Sequence, residues 1–161
     1  MEPSPPAQPD PPQSPRAASP QPQPLPPMEV IIVGFGLPGR FVAEILDARK
    51  LPYCVIELNP TNAASIAACK KHVVCGDARD PALLREAGIE TARFLAVTLP
   101  DERIVIEVLQ IARSINPNLR MMARCNYTST GLKAEKAGAF AVVVEEQIVA
   151  LEFAKLISSN L

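Results

Sequence analysis

The chain has 161 residues, 48% of them hydrophobic and 20% charged, and a formal net charge of −1. That length suits one domain, and that charge balance gives no electrostatic footprint for nucleic acid. With no tryptophan and only 4% aromatic residues, base-stacking platforms are excluded too.

Residues 1–27, MEPSPPAQPDPPQSPRAASPQPQPLPP, hold twelve of the eighteen prolines. Such a stretch can build neither a helix nor a strand ladder and has little apolar surface to bury. An extended, disordered tail or linker is expected there, with a docking site for a proline-reading module as the alternative. It lacks the basic start and apolar centre of a signal peptide. Folding is expected to begin near Met28.

From that point short β-branched runs alternate with helical patterns. Strands are expected at Glu29–Val33, Tyr53–Glu57, His72–Cys75, Phe94–Thr98, Arg120–Arg124 and Phe140–Val144. The runs are apolar almost continuously, as in strands covered on both faces. Between them the spacing predicts helices over Leu37–Arg49, Thr61–Lys70, Pro81 to about Gly88, a longer one from Pro100-Asp101 to Asn116, Ser129–Ala137, and Glu145 to about Ser158. Asn59-Pro60 and Asp80-Pro81 have the form of helix openings. Strict βα alternation predicts an α/β fold, a Rossmann-like doubly wound parallel sheet of six βα units in three layers, with strand order 3-2-1-4-5-6. The fourth and sixth helices are apolar over more than one stripe. That implies either a second partner, such as a subunit interface, or deep burial within the domain.

The first unit reads VIIVGFGLPGRFVAEIL. Its loop, Gly34, Phe35, Gly36 and Leu37, leads through Gly39 into a helix. The strand–GxGxxG–helix context is that of a dinucleotide cradle. Gly34 would allow the tight turn, Gly36 close approach of phosphate, and Gly39 close helix–strand packing. The helix N-terminus favours an anion, and Arg40 could add a full charge; a solvated surface arginine is the alternative. Pro38 removes one phosphate donor but suits the first helical turn. Glu57 ends the second strand eighteen residues beyond Gly39. A carboxylate there can accept from both ribose hydroxyls and would repel a 2′-phosphate. NAD(H), AMP, ADP or ATP are therefore favoured over NADP. Asp77 and Ala78 follow the third strand, where adenine would lie; Asp77 could equally serve as a turn former. Thr98, at the end of the fourth strand, faces the same crevice.

The cysteines Cys54, Cys69, Cys75 and Cys125 form no CxxC pair. Buried, reduced thiols are expected, consistent with a cytosolic compartment. With His72 the only histidine, no metal site is expected. A dehydrogenase would need a proton-transfer residue beside the nicotinamide. Tyr127 and Lys133 are six apart, which is not the Tyr-xxx-Lys spacing of short-chain dehydrogenases. No nucleophile, acid–base pair or catalytic residue is legible, and no stretch of eighteen apolar residues exists.

VIIVGFGLPGRFVAEIL, VIELNP, GDARDPALLREAGIETARFLAVTLPDE, ARC and KAGAFAVVVEEQIVALEFA together resemble the RCK/TrkA-N domain that regulates potassium channels and transporters, close to the C-terminal domain of Kef-type cation/proton antiporters. The likeness covers residue 28 to about 158, and GDA-x-DP-x-x-L-x-x-AGI is its most specific element. It implies a non-enzymatic regulatory lobe that binds an adenine nucleotide and works as a homodimer or higher ring. A membrane potassium or cation transporter would be the partner, at the cytoplasmic face of a membrane. The same residues then take roles: Gly34, Gly36 and Gly39 in the phosphate turn beside Arg40, and Glu57 on the ribose. Asp77 and Ala78 border adenine, while Thr98 and Arg124 line the crevice. Glu146 matches an acid that in some members sits near the nucleotide or a divalent cation. Two departures stand out: Glu145 where many members have proline, and Leu37 where many have arginine. The second lobe of many full-length members and a membrane pore are not in this sequence. A standalone lobe, a soluble subunit and a fragment of a transporter are all compatible with it. An NAD-dependent oxidoreductase subunit and a purely structural dimerisation module are the competing expectations.

Overall fold

The computed structural model describes residues 27–161. The expected tail, residues 1–27, lies outside them but for its last residue. Twelve elements follow in strict alternation: β1 (Val30–Val33), α1 (Leu37–Ala48), β2 (Tyr53–Glu57), α2 (Pro60–Ala68), β3 (His72–Cys75), α3 (Pro81–Glu86), β4 (Phe94–Val97), α4 (Glu102–Ile115), β5 (Arg120–Cys125), α5 (Thr128–Lys136), β6 (Ala139–Val144) and α6 (Glu145–Asn160). All pairings are parallel, in the order β3-β2-β1-β4-β5-β6. The doubly wound Rossmann-like sheet expected from the alternation is the one observed.

Side-chain capping sets three of the helix starts. Asn59 accepts from the N–H groups of Thr61 and Asn62, Asp80 from that of Ala82, and Asp101 from those of Arg103 and Ile104. Each satisfies donors the helix itself cannot. Two helix ends fall short of the expected bounds. Lys50 and Lys70 take left-handed backbone, φ 56° and 59°, and stop α1 and α2 where glycine is the usual signal.

The core has two parts. On one face, α3, α4 and α5 cover the sheet through Leu84, Val105, Val108, Leu109, Ala112 and Ala134, packed on Ile31, Leu95 and Met121. On the other, α1 and α2 cover β1–β3 and Phe94 at the start of β4, with Ala43, Leu46 and Ile66 set on Val30, Ile32 and Val55. The expectation that every strand is covered on both faces therefore holds for β1, β2 and most of β4 alone. Along β5, Met121, Ala123 and Cys125 are buried while Arg120 and Met122 are exposed. On β6, Phe140 and Val143 are also exposed.

The two strongly apolar helices part company. In α4 four residues are buried, and Ile104, Ile106, Ile111 and Ile115 pack against the core. No residue of α6 is buried. Ile148, Val149, Leu151, Phe153, Leu156 and Ile157 are 53–65% exposed.

The thiols are all unpaired, yet only Cys54 and Cys125 are buried. Cys75 is exposed, because β3 is an edge strand uncovered at its end. Cys69 is exposed as the residue that caps α2. Burial pushes the Cys54 thiol up to about 11, helped by the charge of Glu86, and it raises Cys125 too. At pH 8 a disulfide thiol reagent should titrate two of the four cysteines quickly in the native protein and the other two only in denaturant.

Candidate functional site

β1 has β2 on one side and β4 on the other. Connections leaving β1 and β4 diverge to opposite faces, which opens a crevice at their C-terminal ends. A cavity of about 520 Å³ lies there, lined by Gly34, Phe35, Gly36, Leu37, Pro38, Glu57, Asn62, Thr98, Leu99, Pro100, Arg124 and Glu145.

The three glycines do three different things. Gly34 turns at φ +88°, and a Cβ there would lie 2.8 Å from Leu99 Cδ2. A Cβ on Gly39 would meet the Gly34 carbonyl oxygen at 2.2 Å, so α1 packs onto the loop backbone itself. Gly36 has ordinary backbone, φ −68°, and a Cβ there would meet only Pro38 Cδ, at 4.0 Å. The fold needs glycine at the first two positions; at Gly36 it leaves bare backbone facing open space. Gly36 is also the N-cap of α1 and has no side chain to satisfy the first turn. Those N–H groups are left for an outside acceptor.

Glu57 holds this loop in place. One carboxylate oxygen accepts from the Phe35 N–H at 3.0 Å and the other from the Asn59 N–H at 2.9 Å. Each oxygen keeps a second lone-pair direction for a ribose hydroxyl. Thr98 is buried, and its hydroxyl lies 3.0 Å from the Val33 carbonyl oxygen and 2.9 Å from that of Gly34. It ties the end of β4 to the glycine loop. Arg124, on β5, donates from Nε to Glu145 at the start of α6.

The structure thus gathers Gly34, Phe35, Gly36, Leu37, Glu57, Thr98 and Arg124 into one crevice, with Gly39 supporting it from beneath. It does not bring in the other three. Arg40 turns back, donating from Nε to the Phe35 carbonyl at 3.2 Å, and lines a separate cavity with Asp47 and Lys71. Asp77 accepts from the backbone N–H of Arg79 at 2.9 Å and from its guanidinium at 2.7 Å. That bonding holds the Asp77 carboxyl below its usual range and makes it a turn former. Ala78 is buried in the core. Glu146 accepts from the Thr128 hydroxyl and from its N–H, both at 2.5 Å, which lowers the carboxyl's pKa and caps α5. No group of three or more potential metal ligands occurs among the described residues. Asn62, Leu99 and Glu145 line the crevice without having been marked as ligand contacts. The position of Asn62, one turn into the helix that follows Glu57, was the available signal.

A glycine loop with no room for a Cβ at Gly34 or Gly39, bare backbone at Gly36, and an acid joining the loops after β1 and β2 leave a crevice suited to an anionic ligand. Comparison with known proteins bears on the same residues, since the TrkA-N domain family matches residues 30–145. The chain belongs to that family. A TrkA-N domain crystal structure, from the inner membrane protein YbaL of Escherichia coli, superposes with a TM-score of 0.76 at 28% identity, covering 80% of this chain and 95% of that one. The chloroplastic K⁺ efflux antiporter 2 of Arabidopsis thaliana is 29% identical over 125 residues, 78% of this chain and 11% of the antiporter. The AMP-bound Kef C-terminal domain of Shewanella denitrificans has the same fold, with a TM-score of 0.67 at 24% identity over 80% of each chain. The TrkA-N chain spans less than a quarter of the curated relatives it matches, 23% of full-length YbaL.

Proposed function

We propose that this TrkA-N domain is a nucleotide-sensing regulatory module of a membrane potassium or cation transporter, taking NAD(H) or an adenine nucleotide (AMP, ADP or ATP) in the crevice between β1 and β4. The observation that carries the reading is the Glu57 carboxylate, which bridges the glycine loop and the turn after β2 and still has acceptor capacity facing the cavity. The AMP-bound form of the Kef domain, which shares this fold, supports a nucleotide as the ligand, and the antiporter relative supports a cation-transport partner. The charged groups of the crevice are already engaged in holding the loop and the start of α6, which favours a binding role over catalysis. A transmitted signal then requires that the nucleotide bind two conformations of the lobe with different affinity.

No described helix is long and apolar enough to cross a membrane. The same reading sets the lobe at the cytoplasmic face of the membrane that holds its partner. The bare face of β5 and β6 and the exposed apolar residues of α6 support a homodimer or higher ring as the working form.

Isothermal titration of the 161-residue chain with AMP, ADP, ATP, NAD⁺, NADH and NADPH tests the reading. A ribose-diol nucleotide should bind and NADPH should not, since a 2′-phosphate meets Glu57. Glu57→Ala should weaken binding by about 30-fold or more, as expected when charge-assisted hydrogen bonds to both ribose hydroxyls are lost. A thermal melt of the variant separates that loss from unfolding of the loop. Absence of binding by all six would overturn the proposal.

A further inference from the structure

The Arg124–Glu145 ion pair sits where two cavities meet. It lines the nucleotide crevice, and it also lines an apolar groove of about 400 Å³ between α1, one face of β4–β6 and α6. Among the described residues Arg124 is the one cation in the crevice lining, which also holds the carboxylates of Glu57 and Glu145. Its side chain is 22% exposed and that of Glu145 44%, so the pair is partly screened from water.

Arg124 gives Nε to Glu145. Its terminal nitrogens remain able to donate to a phosphate oxygen. Arg124 thereby offers a phosphate geometry without surplus charge, because Glu145 already neutralises it. Pro38 removes a further donor from the first turn of α1. The crevice therefore suits a pyrophosphate diester, each phosphorus carrying about one charge, better than a phosphate monoester, which carries about −1.5 to −2. Beyond the first-turn N–H groups of α1 its lining holds no uncompensated cation for the extra charge of a terminal phosphate chain, which the Glu145 carboxylate in the same lining would repel at reduced dielectric.

We propose that Glu145 is a charge selector for the nucleotide crevice, favouring a dinucleotide over a nucleoside triphosphate. This rests on the nucleotide reading above and deepens it by naming the ligand class. Glu145 acts through Arg124 and through direct repulsion, as a specificity-determining residue rather than as a ligand of adenine or ribose.

The test is isothermal titration of the full chain and its Glu145→Gln and Glu145→Ala variants with NADH and ATP. The wild-type chain should bind NADH at least about tenfold more tightly than ATP. Both variants should tighten ATP about tenfold, equivalent to ~1.4 kcal/mol, and change NADH by less than about threefold. Glu145 is partly exposed and makes no core contact, and a thermal melt confirms that the variants stay folded. If NADH binds and the ATP-to-NADH ratio is the same in all three proteins, the selector is overturned while the nucleotide reading stands. If neither ligand binds any of them, the nucleotide reading falls and the selector with it.

Discussion

Gly39→Ala should cost the domain about 3 kcal/mol, the upper end for an overpacked site. The added Cβ would meet the Gly34 carbonyl oxygen at 2.2 Å, and the neighbour on that side is backbone, which cannot swing away. Either α1 lifts from the loop or the loop flattens. Both break the hydrogen bonds that Thr98 and Glu57 make to it. The helix propensity gained by alanine, at most ~1 kcal/mol, does not offset this. Against a total stability of about 5–15 kcal/mol the loss is large, and a urea titration would read it as a lower midpoint. Gly36→Ala should behave in the opposite way. Its φ is ordinary and its Cβ would meet nothing closer than 4.0 Å, so the fold should lose no more than about 1 kcal/mol, the cost of a poorer N-cap. Nucleotide affinity should nevertheless fall at least about tenfold, because the methyl group stands where phosphate must approach the backbone. Wild-type affinity in Gly36→Ala would show that the loop does not cradle phosphate.

The contrast between those glycines also marks how far the sequence could be read. Spacing alone placed Gly34, Gly36, Gly39 and Glu57 together, because a βαβ unit has little freedom in how its strand ends meet. Strand order followed from βα alternation for the same reason. What spacing could not reach was which partner each polar side chain takes, near or far in the chain. Asp77 reads as a crevice residue from its position after β3, yet Arg79, two residues on, claims its carboxylate. Arg40 reads as a phosphate ligand, yet its side chain curls back to Phe35. The N-terminus of α5 has no side-chain cap from Tyr127. Glu102 on α4 and Glu146 on α6 supply the acceptors instead, across 18 to 25 positions. Local propensity carries no signal for such caps. Burial of the outer strands was misjudged too: β6 reads AFAVVV, as continuously apolar as β1, and only the topology shows that α1 and α2 do not reach across to β5 and β6.

Chain association should depend on α6. Six large apolar side chains of this helix stand 53–65% exposed, and Met122, Phe140 and Val143 lie exposed on the sheet face nearby. Burying one such side chain stabilises by roughly 1.5–3 kcal/mol, so a patch of this size is a strong drive to find a partner. Ile148 and Val149 already line the apolar groove beside α1, while Leu151, Phe153, Leu156 and Ile157 lie farther along the helix. A second copy supplies a matching surface, since a two-fold arrangement pairs the same patch with itself. Light scattering across a dilution series should therefore give a dimer or larger ring at micromolar concentration. Leu151→Asp combined with Phe153→Asp should yield a monomer. The folded monomer should lose no more than about 0.5 kcal/mol, because neither side chain makes a buried contact within it. A wild-type chain that stays monomeric at high concentration would rule out self-pairing through this patch and assign α6 to a heterologous partner. A double variant that remains dimeric would move the interface elsewhere and leave the exposed face of α6 without a role in assembly.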